Sequence, residues 1–149
     1  MEEQKNMAKY EAYRSMYINL GKALKAGFYY QAIFIEYAIF EDRLTSLLRY
    51  AGVPTVRKDG REDKISRKIA KVRDHNAFNT KSIRSRLPVA LMDELKLWTE
   101  QRNALVHDLA NMPYDNEQVK AVALDGERIL KDFKAGASAV IRNFKKQAQ

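Results

Sequence analysis

The chain has 149 residues, 46% of them hydrophobic and 31% charged, the size and balance of one globular domain that buries a continuous core without metals or staples. It contains no cysteine, which excludes a disulfide framework and any thiolate metal or redox site and fits a reducing cytoplasm. The net charge of +8 is concentrated: residues 57–86 hold 11 basic against four acidic side chains, leaving 16 against 15 elsewhere, so a polyanion is the natural partner.

The amino terminus, Met-Glu-Glu-Gln-Lys-Asn, lacks the basic start and apolar middle of an export signal. Tyr10, Tyr13, Tyr17, Leu20 and Leu24 then recur at three and four residues, predicting an amphipathic helix over about 5–26 that Gly27 closes. A second helix follows over about 28–51, with Ile33, Tyr37, Phe40, Leu44, Leu47 and Leu48 on one face and Gly52 and Pro54 ending it. Its most apolar part, Phe28 to Phe40, is interrupted by Gln31 and Glu36 and is shorter than the roughly 20 residues that cross a bilayer, so no membrane span is expected.

Residues 53–60 read as a loop, and 62–75 as a mostly basic helix spaced through Ile65, Ile69 and Val72, appended to the main body. Residues 77–87 read as a second loop. Pro88 suits a first helical turn and opens a helix through Leu91, Leu95, Trp98, Leu105 and Leu109 that Asn111 and Pro113 stop. Asp115 and Gln118 have the spacing of a capping box. They start a last long helix carrying Val119, Val122, Ile129, Phe133, Val140, Ile141 and Phe144, with Gly126 and Gly136 as expected bends. The expected architecture is all-α: one domain over 1–149, an antiparallel up-and-down four-helix bundle with an additional basic helix, in the 57–86 insert, between the second and third bundle helices.

Chemistry concentrates in Arg102-Asn103-Ala104-Leu105-Val106-His107. At 100° per residue Arg102 falls within about 40° of Trp98, inside the stripe that faces the core. A guanidinium there needs a carboxylate or an opening to solvent. Glu36, at the edge of the second helix's apolar face with Arg43 two turns further along, is the expected partner. A Glu36–Arg102 pair has two readings: an ion pair that sets helix register, or support for a site. His107 equally suits an ordinary helix end, where positive charge meets the macrodipole.

The Arg-Asn-Ala-Leu-Val-His segment resembles the Arg-x4-His signature of HEPN domains. The second helix, Phe34-Ile35-Glu36-Tyr37-Ala38-Ile39-Phe40-Glu41-Asp42-Arg43-Leu44, resembles that family's second helix, where an acidic residue commonly faces the Arg. The resemblance spans about 5–145, the basic insert being the least matched part. It implies a homodimer whose composite active site cuts RNA without metal or other cofactor, in a toxin or phage-defence role. In that scheme His107 and its copy in the partner act as base and acid on the ribose 2′-hydroxyl and the leaving 5′-oxygen. Arg102 holds the phosphate, Asn103 orients the phosphate or His107, and the products are a 2′,3′-cyclic phosphate and a 5′-hydroxyl. An ideal helix points Arg102 and His107 about 140° apart, which a second subunit reconciles; Thr99, Asn103, Val106, His107 and Ala110 are the expected dimer face. A neutralising antitoxin protein is a further implied partner, although Leu109 stands two residues after the His where one subtype carries a modifiable Tyr, and Tyr114 lies too far along to replace it.

Two histidines 32 positions apart, His75 and His107, with no carboxylate at ligand spacing, do not form a recognisable metal site, and no phosphate-cradling Gly-rich loop is present. Lys64, Arg67, Lys68 and Lys71 are the expected RNA-binding residues of the insert. The alternative function is a catalytically silent HEPN-like dimer that binds RNA or an acidic protein through that insert.

Overall fold

The computed structural model describes residues 1–109 and 115–149, and these are helical: α1 Glu2–Ala26, α2 Tyr29–Tyr50, α3 Ile65–Asp74, α4 Lys81–Arg86, α5 Val89–His107 and α6 Asn116–Gln147, with a 3-10 turn over Asn76–Phe78. Among the described residues the only extended pairing is a single bridge between Val56 and Glu62, and no helix is long and apolar enough to cross a membrane.

Two helix ends close by the same device. Gly27, at φ 80°, turns the chain left-handed so that Phe28 N–H reaches the Ala23 carbonyl at 2.8 Å; Gly52, at φ 73°, lets Val53 N–H reach the Leu48 carbonyl at 2.8 Å. Each satisfies an orphan carbonyl and reverses the chain where only glycine takes that backbone conformation without strain. At the start of α6 the capping box forms as expected, Asp115 accepting from Gln118 N–H at 2.8 Å and the Gln118 side chain accepting from Asp115 N–H at 3.3 Å. The expected stop at Asn111 and Pro113 lies outside the described residues.

α2 is the hub, packed against α1, α3 and α6, while α5 packs on α3 and α6. At the centre Phe40 of α2 lies between Trp98 of α5, with ring centroids 5.1 Å apart, and Phe133 of α6, at 5.7 Å. The Trp98 indole N–H is satisfied by the Val122 carbonyl at 2.9 Å, so this large ring is buried without leaving a donor unpaired.

Three expectations change here. α3 is no appendage: Ile65, Ile69 and Val72 are buried in the common core and the helix touches both α2 and α5. Residues 77–87 are largely helical, because the Thr80 hydroxyl caps Ile83 N–H at 3.2 Å and starts α4. Gly126 and Gly136 do not break α6, which runs through both; they admit neighbours instead. A Cβ at Gly136 would stand 2.2 Å from the Arg86 carbonyl oxygen, and one at Gly126 2.4 Å from a Glu36 carboxyl oxygen.

Candidate functional site around Arg102

Arg102 is partly buried on α5 one and a half turns before the helix ends. Its guanidinium carbon sits 4.0 Å from the centroid of the Tyr37 ring of α2, with the Phe34 ring at 5.8 Å. Asn103 Oδ1 accepts one guanidinium N–H at 3.0 Å, while the buried Nε has no hydrogen-bond partner. An aromatic ring and an amide thus hold the guanidinium without neutralising it. Burial raises the Tyr37 hydroxyl above its ordinary range, Glu41 adding to the shift and Arg102 opposing it.

The expected Glu36–Arg102 pair is not formed. Glu36 is fully buried and neither carboxyl oxygen has a hydrogen-bond partner. It lies against Gly126 and Trp98, and burial, reinforced by Glu127 and Asp125, pushes its pKa up to about 9. At neutral pH it is a neutral acid inside the core, which removes the desolvation cost of a charge. Sequence placed Glu36 at the edge of the apolar face; the missing Cβ of Gly126 is what lets it turn inward. Arg43 also departs from its expected supporting role. It lies over the Tyr13 ring of α1 at 4.1 Å, in a different groove.

His107 is the exposed last residue of α5 and Asn103 is exposed one turn before it. Of the expected dimer face, Thr99 is 3% exposed, its hydroxyl bound to the Lys96 carbonyl at 2.7 Å, so it is internal to the fold. Val106 is half-buried, and Ala110, like Tyr114, lies outside the described residues. His75 is a structural cap, its Nδ1 accepting from Ala77 N–H at 3.0 Å at the head of the 3-10 turn.

The insert spends much of its charge internally. Lys68, expected on the RNA-facing side, is 2% exposed and lies 3.0 Å from Glu62 and 3.7 Å from Glu41, donating to the Thr45 hydroxyl at 2.9 Å. This corrects its placement: the cation helps lock α3 onto α2. Lys71 likewise pairs with Asp63 and donates to the Pro54 carbonyl at 2.7 Å, pinning the preceding loop. Arg84 donates to the carbonyls of Val72 and Arg73 at the end of α3. Lys64 and Arg67 are exposed. With Arg57 and Lys58 they line an open groove of about 530 Å³. A second groove, of about 420 Å³, runs beside Tyr37 and Asn103. Asp63, Lys64 and Ser66 line both, so the basic groove and the Arg102 neighbourhood meet at the start of α3.

Comparison of the chain with protein-family models, curated proteins and solved structures finds no match.

Proposed function

We propose that the protein is a HEPN-type, metal-independent endoribonuclease acting as a homodimer, with α1, α2, α5 and α6 as the four bundle helices and α3–α4 as the insert. The carrying observation is the state of Arg102: over the Tyr37 ring, held by Asn103, with no acidic partner among the described residues. A guanidinium of this kind suits a phosphodiester, whose paired oxygens match its fork and whose added charge in the transition state it stabilises.

The exposed imidazole of His107 at the end of α5 supports a role as the proton carrier. Arg102 and His107 diverge by about 140° on one helix, so a shared phosphate is reached by pairing Arg102 of one protomer with groups from its partner. Exposed apolar side chains beside the pair, Phe34 at 46% and Leu109 at 51% exposure, give such an association an apolar contribution. The strand's backbone is held in the groove of Lys64 and Arg67. His107 takes the 2′-hydroxyl proton, the 2′-oxygen attacks phosphorus, and the partner's His107 protonates the departing 5′-oxygen, leaving a 2′,3′-cyclic phosphate. A neutralising antitoxin and a toxin or phage-defence role belong to the same proposal.

The Tyr37 stack also favours a second reading, in which Arg102 is a clamp between α2 and α5 and the dimer binds RNA or an acidic protein without cutting. The two are separated by incubating single-stranded RNA with native protein and with His107→Ala in the presence of EDTA. Nuclease action predicts a rate loss of about 100-fold or more with an unchanged circular dichroism melt and dimer mass. Equal cleavage by the variant, or none by the native protein, overturns the nuclease in favour of binding.

A further inference from the structure

A third groove, of about 590 Å³, lies between α1, α2 and α6, away from α5. Five cations line it, Lys9 and Arg14 from α1, Arg43 from α2, and Lys134 and Lys145 from α6, and no carboxylate side chain does. Among the described residues, Lys9 alone of the five is in an ion pair, with Asp42 at 3.7 Å. Three of the others meet ring faces: Arg43 lies over Tyr13 at 4.1 Å, Lys134 over Tyr17 at 3.9 Å and Lys145 over Tyr50 at 5.1 Å. The hydroxyls of Tyr13 and Tyr17 are buried without hydrogen-bond partners. At the margins Tyr10 and Tyr50 expose 64% and 48% of their surface.

Gathering five like charges is unfavourable unless an anion joins them, and ring faces disperse that charge without cancelling it. Exposed rings beside cations are the pattern that stacks flat bases while the backbone is neutralised. An acidic peptide would use the cations and leave the rings idle.

We propose that this groove is a nucleotide-binding site, distinct from the Arg102 neighbourhood, in which Arg43, Lys134 and Lys145 take phosphate and Tyr10 and Tyr50 stack on bases. The nucleotide unit belongs to a single strand or is free.

The test uses the full chain carrying His107→Ala, so that binding is read without cleavage, with anisotropy of a labelled single-stranded octauridylate in EDTA and competition by uridine monophosphate. Lys134→Glu with Lys145→Glu is expected to weaken octamer binding at least tenfold, and Tyr10→Ala or Tyr50→Ala at least about fivefold. Competition by the monophosphate at concentrations near its own Kd identifies a free nucleotide as the ligand, and competition only by unlabelled octamer identifies a strand. A 4-thiouridine octamer, irradiated with the chain carrying only His107→Ala, is expected to crosslink to Tyr10 or Tyr50, a result independent of how the groove variants fold. Unchanged affinity in folded groove variants, crosslinks confined to other residues, or tighter binding of an oligoglutamate of equal length overturns the site. None of these outcomes depends on whether the protein cuts RNA.

Discussion

At the residue scale, two buried or half-buried ionisable groups have been handled in opposite ways. Glu36 gives up its charge, while Arg102, which cannot, is laid on an aromatic face. Glu36 therefore makes stability depend on pH in an unusual direction. The folded chain holds the proton up to about pH 9, and the unfolded chain releases it around the ordinary 4.5. Between those values the unfolded state binds fewer protons, so stability falls as pH rises. Thermal melts of the native protein are expected to decline across pH 5 to 9, with Glu36→Gln matching it near pH 5 and exceeding it by more than about 1 kcal/mol at pH 9; parallel curves would show that Glu36 is not the titrating group. For Arg102, substitution by Ala removes a stack worth about 1 kcal/mol and, under the nuclease reading, nearly all cleavage. A variant that melts as expected yet cuts normally would reduce Arg102 to a clamp.

At the element scale, helix identity was legible wherever caps and period agreed. Gly27, Gly52, Asp115 and Gln118 announce their turns locally, and each does what its chemistry predicts. What was not legible depends on contacts between distant segments. The role of Gly136 is set by the Arg86 carbonyl and that of Gly126 by Glu36 and Trp98, which no window of sequence contains. Gly136→Ala is expected to cost about 1–3 kcal/mol through backbone collision. Gly21→Ala, where nothing lies within 4 Å of the new Cβ, is expected to gain about 0.5–1 kcal/mol from helix propensity. Denaturant melts with the two effects equal in sign would contradict this account of helix packing. Thr80 was a readable cap for α4, masked by the polar run around it. Composition makes α3 look like an appendage, because its polar face outweighs three buried apolar residues, although those three suffice to seat it.

At the scale of the whole molecule, the insert's charge is partly structural and a second basic region is dispersed. The excess at 57–86 is evident along the chain, whereas the inward pairing of Lys68 and Lys71 and the convergence of five cations from α1, α2 and α6 arise only from the fold. For the candidate site, the Arg102, Asn103 and His107 spacing was legible, and the position of Glu36 was not. The insert should accordingly divide in function. Lys64→Glu with Arg67→Glu is expected to weaken RNA binding and shallow its salt dependence with little change in melting, whereas Lys68→Glu lowers the melting temperature by placing a third acid beside Glu62 and Glu41. Filter binding over a salt series, paired with melts, distinguishes them, and equal effects on both readouts would return Lys68 to the binding surface. The central proposal, strand cleavage by internal 2′-oxygen attack, is tested most directly by mass spectrometry of the ends left on a single-stranded RNA incubated with native protein in EDTA. The same RNA with 2′-deoxyribose at the cut positions is the comparison. The account predicts 2′,3′-cyclic phosphate and 5′-hydroxyl ends from the first and an intact second strand; cutting of the deoxy-substituted strand, or 5′-phosphate ends, would contradict it.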